Sequence, residues 1–139
     1  MSDLIMPDVA VTVPDEGLPI GEAAAACGLS IDALRYYERE GLLLSPTPRN
    51  AVGQRRYHTR DLRWLGGLAM LRGTGMHIGE IRAYVELARR PGTEAARMRL
   101  LEEHRERVRT RMAETRRHLA AIDRKINAYR DQLARPDQE

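Results

Sequence analysis

A stretch of 40 residues near the carboxyl terminus, 94–133, constrains the fold most, because it contains no helix-breaking residue. Between Thr93, which can cap a helix, and Leu133 there is neither proline nor glycine. At 1.5 Å per residue, a helix over this stretch would contain about 40 residues and be about 60 Å long. A small domain cannot bury a helix of that length, so part of it needs another partner.

Apolar residues recur along this helix at alternating intervals of three and four, and only Arg105 interrupts the pattern. Four consecutive heptads form a narrow seam, which is typical of a coiled coil, whereas a helix on a globular core usually carries a wider stripe. A second copy of the chain is the simplest partner. The predicted dimer interface comprises Leu101, Val108, Met112, Thr115, Leu119, Ile122, Ile126 and Tyr129.

Length and composition leave room for one small domain before the helix. The chain has 139 residues, 42% hydrophobic and 31% charged, which is typical of a soluble, helix-rich protein. It has no apolar run of roughly 18 residues and no secretory signal, so we expect a cytoplasmic protein with no membrane partner. The predicted organisation is a flexible leader over 1–18, a head over 19–90, a dimerisation helix over 93–133 and a tail over 134–139.

A single cysteine limits redox and metal chemistry. Cys27 alone excludes an internal disulfide and any multi-thiolate metal site within one subunit. His104 and His118 are too far apart on one helix to share a metal ion. The sequence also contains no paired nucleophile and base and no phosphate loop. We therefore expect no metal, no cofactor and no enzymatic activity.

The head is predicted to be mostly α-helical and to begin with two short helices. Helical spacing indicates a first helix from Ile20 to about Cys27, followed by a turn at Gly28. Ser30 is well placed to cap a second helix over about 31–39. Two short helices around a glycine turn are a helix-turn-helix candidate.

The segment after the second helix is rich in proline and glycine. It returns through residues 55–57 and predicts a turn-rich hairpin, or wing. A third helix is predicted from about Thr59 or Asp61 to Gly73, and a fourth over 78–85 that stops before Pro91. The expected fold is therefore a winged helix-turn-helix head followed by a long dimerisation helix.

Basic residues are concentrated outside the leader. The net charge is +3, but residues 1–18 carry four acids and no Lys or Arg, so the rest of the chain has 23 basic against 16 acidic residues. On the second helix, Tyr36 and Arg39 point away from the buried face and Arg35 and Tyr37 flank it. The wing adds several arginines that can follow a phosphate backbone. The predicted DNA contacts are Arg35, Tyr36, Tyr37, Arg39, Arg49, Arg55, Arg56 and Tyr57. A solvated helix face with one tyrosine in the core is the alternative reading of the second helix.

These segments, in order and spacing, resemble the MerR family of transcriptional regulators. The matching residues are Ile20-Gly21-Glu22-Ala23, Gly28-Leu29-Ser30, Leu34-Arg35-Tyr36-Tyr37-Glu38, Gly41-Leu42-Leu43, Pro46, Arg49, Arg56-Tyr57, Asp61-Leu62, Gly75-Met76 and Glu80-Ile81. The resemblance implies a homodimer joined by an antiparallel coiled coil and bound to a palindromic promoter. It also implies that the protein distorts the spacer DNA so that RNA polymerase can engage both promoter elements.

Within that family the chain is most similar to the branch that answers aldehyde and thiol stress. That branch carries a cysteine in the third helix, where this sequence has Met70. A thioether cannot ionise to a thiolate, so thiol sensing by that route is not expected. The sequence names no small-molecule inducer, and it does not separate an activator from a repressor.

Two other functions remain open from the sequence. One is a protein-interaction module whose coiled coil binds a different protein. The other is an architectural DNA bender with weak sequence specificity, although the long dimerising helix argues against it. Specific and non-specific DNA affinity, compared at fixed salt, would separate a regulator from an interaction module.

Overall fold

A computed structural model describes residues 12–46 and 48–135 of the chain. Within them the order of helices is α1 (Ile20–Cys27), α2 (Ile31–Arg39), α3 (Thr59–Gly73), α4 (Ile78–Ala88) and α5 (Glu94–Leu133). The mostly α-helical fold with a long final helix is therefore confirmed. The chain divides into two compact units between Leu100 and Leu101.

The turn between α1 and α2 has the local chemistry that the sequence predicted. Gly28 ends α1 in the left-handed conformation, with φ 70°, which a residue with a side chain rarely adopts. The Ser30 hydroxyl caps α2 by accepting a 3.0 Å hydrogen bond from the amide of Ala33. These two signals fix where one helix stops and the next begins.

The core of the first unit lies where α1 packs on α2 and α3, and α3 packs on α4. Between α3 and α4, the Trp64 and Tyr84 rings stack at 5.8 Å between centroids. The Trp64 indole also donates a 2.8 Å hydrogen bond to the carbonyl of Leu42. The largest fully buried side chains are Leu34, Leu42, Tyr57, Leu62, Leu65, Leu68, Met76, Ile81 and Val85.

The wing is held by two isolated antiparallel bridges, Leu18 with Tyr57 and Arg49 with Arg55. Leu18 and Tyr57 exchange both backbone hydrogen bonds, at 2.7 and 2.9 Å. Gly17 and Leu18, which the sequence assigned to a flexible leader, are therefore part of the packed unit. Residues 1–11 of that leader and 136–139 of the predicted tail lie outside the described residues.

The apolar seam of α5 is accessible from Met112 onward in the single chain, whereas Leu101 and Val108 are half-buried. Met112, Leu119, Ile122, Ile126 and Tyr129 are 44 to 59% exposed. Thr93 stands before the helix, and its carbonyl accepts a hydrogen bond from the amide of Arg97. The Thr93 hydroxyl donates to the carbonyls of Leu87 and Arg90 instead of capping α5. Among the described residues, no helix has both the length and the apolarity to cross a membrane.

Candidate nucleic-acid interface

The outward face of α2 carries the first half of the candidate interface. Arg35, Tyr36 and Arg39 are exposed, whereas Leu34 and Tyr37 point into the core. The guanidinium carbon of Arg39 lies 6.0 Å from the centroid of the Tyr36 ring, so the ring and the cation present one combined surface. This face offers guanidinium donors and an aromatic hydroxyl to a ligand.

A cleft of about 600 Å³ separates α2 from the wing. Its described lining contains four arginines and a single acid, Glu38. Clustered guanidinium groups suit phosphate oxygens, which they can contact in a bidentate fashion. The lining residues are Pro19, Ile20, Arg35, Glu38, Arg39, Arg49, Gln54, Arg55 and Tyr57.

The Glu38 carboxylate links α2 to the wing. It accepts a hydrogen bond from the Tyr57 hydroxyl and forms an ion pair with Arg55. The Glu38 side chain is only 8% exposed, whereas that of Arg55 is 38% exposed. Burial raises the pKa of Tyr57 above its usual value, so its hydroxyl keeps the proton that it donates to Glu38. The arrangement fixes the base of the wing against α2.

The wing tip is organised by Asn50 and Arg49. The Asn50 side-chain oxygen accepts from the amides of Val52 and Gln54, at 3.1 and 3.0 Å. The Arg49 guanidinium donates a 2.5 Å hydrogen bond to the carbonyl of Gly53. These bonds close the turn, so the loop presents its exposed side chains from a defined backbone.

Arg56 has a different position from the other predicted arginines. Its guanidinium donates to the carbonyls of Glu16 and Gly17, at 3.2 and 2.9 Å. It therefore fastens the segment before α1 to the wing. Arg56 is not among the described residues that line the cleft.

Two of the predicted DNA contacts are corrected by their burial. Tyr37 is 5% exposed and Tyr57 is 0% exposed, so neither ring is accessible to a ligand in this conformation. Helical spacing placed Tyr37 at the edge of the buried face, and packing draws it inward. The wing sequence alone could not show that Tyr57 turns toward Glu38. Of the eight predicted contacts, the structure brings together Arg35, Tyr36, Arg39, Arg49 and Arg55.

Sequence reasoning missed Arg82 in α4 and Arg89 directly after it, which hold the segment that follows α2. Arg82 forms an ion pair with Glu40, and Arg89 donates to the carbonyls of Gly41 and Leu43. The carbonyls at a helix end lack intrahelical partners, and cations are favoured there. The two arginines lie seven residues apart in the sequence, but no sequence signal identifies the carbonyls that they meet.

Neither Cys27 nor Met70 has the properties of a reactive thiol. The Cys27 thiol donates a 3.4 Å hydrogen bond to the carbonyl of Leu62, and burial raises its pKa to about 11. A pKa that high disfavours the reactive thiolate. Met70 is 46% exposed on α3. No group of three or more His, Cys, Asp or Glu side chains among the described residues could hold a metal ion.

A helix-turn-helix whose second helix exposes arginine and tyrosine beside an arginine-lined wing defines a class of DNA-binding proteins. Two protein-family models match the chain and identify its family within this class. Residues 18–88 match the MerR HTH family regulatory protein model, and residues 62–124 match the model described as MerR, DNA binding. The chain belongs to the MerR family of DNA-binding transcriptional regulators.

Individual relatives agree with this assignment. An HTH-type transcriptional regulator of Haemophilus influenzae is 34% identical over 109 residues, which cover 78% of this chain and 80% of the relative. The crystal structure of a MerR family transcriptional regulator from Listeria monocytogenes is similar, with a TM-score of 0.78 and 35% identity over 86% of this chain and 91% of that one. HiNmlR, a MerR family regulator lacking the sensor domain and crystallised bound to promoter DNA, has a TM-score of 0.72 and 32% identity over 84% of this chain and 92% of that one.

Proposed function

We propose that the protein binds a palindromic promoter as a homodimer, with α2 of each subunit in the major groove and each wing on the adjacent phosphate backbone. One observation carries the proposal. Arg35, Tyr36 and Arg39 are exposed on α2 directly beside the arginine-lined cleft. A major groove admits an α-helix, and arginine is the commonest side chain to read guanine edges there.

The two halves of this surface divide the work. Arg35 and Tyr36 contact base edges and supply sequence specificity, while Arg49 contacts phosphates and supplies affinity that depends on salt. Arg55 lies beside the same backbone, but its ion pair with Glu38 limits its contribution in the wild-type protein. The promoter DNA bound to HiNmlR, a relative of 32% identity, supports a promoter as the target. Glu38 and Arg56 position the wing and contact no DNA themselves.

Regulation follows from the family resemblance. The dimer holds two recognition helices at a fixed separation and distorts the spacer DNA between them, and RNA polymerase then engages both promoter elements. The protein performs this function without an enzymatic step. Any inducer acts by changing the distortion of the DNA, since that distortion decides whether RNA polymerase can engage both promoter elements.

The test begins with DNA sites selected by the wild-type protein from a genomic pool. We expect Arg35→Ala and Tyr36→Ala to weaken binding to the selected palindrome by about 1 to 3 kcal/mol each and to spare random DNA. Arg49→Ala should weaken both and reduce the slope of log K against log salt by about 0.9. Arg117→Ala, which removes one exposed arginine from α5, is the matched control. Equal wild-type affinity for palindrome and random DNA would refute sequence-specific recognition.

A further inference from the structure

The seam of α5 contains one unexplained residue, Arg105. A heptad repeat has two core positions, a and d, with three residues from a to d and four from d to the next a. The d positions of α5 are Leu101, Val108, Thr115, Ile122 and Tyr129. The other core series, a, runs through Met112, Leu119, Ile126 and Leu133, and Arg105 takes its first place. The Arg105 side chain is 56% exposed. A second copy that covers the seam must accommodate this guanidinium.

The antiparallel coiled coil of the proposed homodimer is what the family resemblance implies. Building on it, we propose that the two α5 helices pair in a single register, centred near Arg117, in which Arg105 faces Tyr129 of the partner subunit. The aromatic face of that tyrosine attracts the guanidinium. The remaining core layers are apolar or nearly so. Leu119 faces Thr115 of the partner subunit, Met112 faces Ile122 of the partner subunit, Ile126 faces Val108 of the partner subunit and Leu133 faces Leu101 of the partner subunit.

Charges beside the seam support this register. In an antiparallel pair, the e positions of one helix lie beside the e positions of the other, and such flanking pairs set orientation. The e positions are Glu102, Arg109, Arg116, Asp123 and Arg130. In the proposed register, Glu102 lies beside Arg130 of the partner subunit and Arg109 beside Asp123 of the partner subunit. Two-fold symmetry doubles both, which gives four attractive pairs.

The register also contains like-charge neighbours. Arg116 meets its own copy near the two-fold axis, and on the other flank Arg111 lies beside Lys125 of the partner subunit. Arg109 also forms a 2.7 Å ion pair with Glu106 inside its own helix. That exposed pair contributes little by itself, so it does not prevent Arg109 from meeting a second carboxylate.

A parallel dimer is disfavoured by the same residues. It would place Arg105 against Arg105 of the partner subunit in the core, where the two guanidinium groups repel each other and each has only the exposed Glu106 carboxylate of its own helix nearby, at 3.8 Å. Its flanking pairs would join Arg111 with Arg116 of the partner subunit and Lys125 with Arg130 of the partner subunit. His118 with Asp123 of the partner subunit would be its attractive pair, and only with the histidine protonated.

Antiparallel registers displaced by one heptad separate Arg111 from Lys125 of the partner subunit, but they contain fewer attractive e pairs. Displacement in one direction sets Arg109 against Arg116 of the partner subunit and Glu102 against Asp123 of the partner subunit, so both e pairs repel. Displacement in the other direction keeps Asp123 beside an arginine but sets Arg109 against Arg130 of the partner subunit. The proposed register is the one in which both Arg109 and Asp123 face an opposite charge.

Charge reversal tests the register through the dimer dissociation constant of the full chain, measured by analytical ultracentrifugation without DNA. Arg109→Asp and Asp123→Arg should each raise it roughly 10- to 30-fold, since each disrupts two symmetric pairs. The double variant should return to within about threefold of wild type. Arg117→Asp and Asp131→Arg make the same changes on the outer face of α5 and should have little effect.

The outcomes separate the registers. A stronger dimer in Arg109→Asp would overturn the proposal in favour of a displaced register, because Arg109 faces an arginine in both. Failure of the double variant to recover would overturn the pairing of Arg109 with Asp123. A monomeric wild-type protein at the concentrations that saturate promoter DNA would instead refute the homodimer itself, while leaving DNA binding to be judged by its own test.

Cysteine cross-linking gives a second measurement that does not depend on weakened dimers. In a Cys27→Ala background, Glu102→Cys mixed with Arg130→Cys should form a disulfide between subunits under mild oxidation. Glu102→Cys mixed with Asp123→Cys should form it at least about tenfold more slowly, because one heptad displaces the sulfurs by about 10 Å. Faster cross-linking to Asp123→Cys would show a displaced register, and no cross-linking in either mixture would overturn the proposal.

Discussion

Replacing Glu38 by glutamine should change protein stability and non-specific DNA binding in opposite directions. Glu38 is the one acid among the described lining residues of the arginine cleft. Its carboxylate accepts from the Tyr57 hydroxyl and pairs with Arg55. Glu38→Gln preserves the shape of the side chain and an acceptor for Tyr57, but it removes the charge. Its effect therefore isolates the electrostatic part of the link between α2 and the wing.

The expected loss of stability follows from the two contacts. A hydrogen bond to a charged group contributes about 1.5 to 3 kcal/mol, and a neutral one about 0.5 to 1.5 kcal/mol, so the Tyr57 contact loses about 1 kcal/mol. The Arg55 pair is partly exposed, at 38% on the arginine side, and solvent screening limits its contribution to at most about 1 kcal/mol. We expect Glu38→Gln to lower the free energy of unfolding by about 1 to 2 kcal/mol. Glu38→Ala should cost more, because it leaves the buried Tyr57 hydroxyl without its acceptor.

The change in non-specific DNA affinity follows from the Arg55 guanidinium, which no longer has an ion pair in Glu38→Gln. Without its counter-charge, Arg55 becomes available to a phosphate, so non-specific affinity should rise. The slope of log K against log salt should steepen by about 0.9 for each added phosphate contact. Urea denaturation and salt-dependent fluorescence anisotropy with random DNA measure the two effects. Glu22→Gln, which removes one exposed negative charge from α1, is the control.

Two results would refute this reasoning. Unchanged stability in Glu38→Gln would mean that the carboxylate contributes nothing beyond the shape of the side chain. An unchanged salt slope, or one matched by Glu22→Gln, would mean that Arg55 gains no phosphate contact when Glu38 is neutral. A loss of non-specific affinity would show that the position of the wing matters more than the free charge.

Three further outcomes are expected. Leu119→Glu and Ile122→Glu each place a charge in the exposed seam, so light scattering should report monomers and promoter affinity should fall by about 10³-fold or more. The control, Ala120→Glu beside the seam, should remain dimeric. A dimer in both seam variants would show that the interface is misplaced. The pKa of Cys27 is raised from 9.0 to about 11, so the stability that the buried neutral thiol contributes is present below pH 9 and is lost as the pH rises toward 11. For the same reason, iodoacetamide at pH 8 should label the native thiol at least about 100-fold more slowly than the unfolded one. Cys27→Ala should bind DNA like wild type with or without formaldehyde, and a response that disappears in this variant would make Cys27 a sensor. Gly17→Ala should lose about 1 to 3 kcal/mol of stability in thermal denaturation, because Gly17 has φ +81° and an added Cβ would lie 3.0 Å from the Tyr57 carbonyl oxygen. The control, Gly79→Ala, should be neutral or stabilising, since nothing lies within 4 Å of its added Cβ. Equal effects of the two substitutions would contradict the steric argument.

The sequence by itself determined the order of the helices and most of their ends, although the Thr93 hydroxyl does not cap α5 as the sequence suggested. The left-handed glycine at position 28, the capping serine at position 30 and the proline- and glycine-free stretch before Leu133 are local signals, and each acts within one turn of helix or one heptad. The exposed half of the recognition surface was also predictable, because Tyr36 and Arg39 follow from the period of α2 alone.

Tertiary structure decided which polar residues remain on the surface. Tyr57 lies 19 positions from Glu38 and Arg89 lies 48 positions from Gly41, and no periodic pattern extends over such separations. An arginine has the same propensity whether it meets a phosphate, a carboxylate or a backbone carbonyl. Only packing turned Arg56 toward Gly17, buried Tyr37 and Tyr57, and left Arg35 and Arg39 open to a ligand, because packing fixes which unsatisfied groups lie within hydrogen-bond distance.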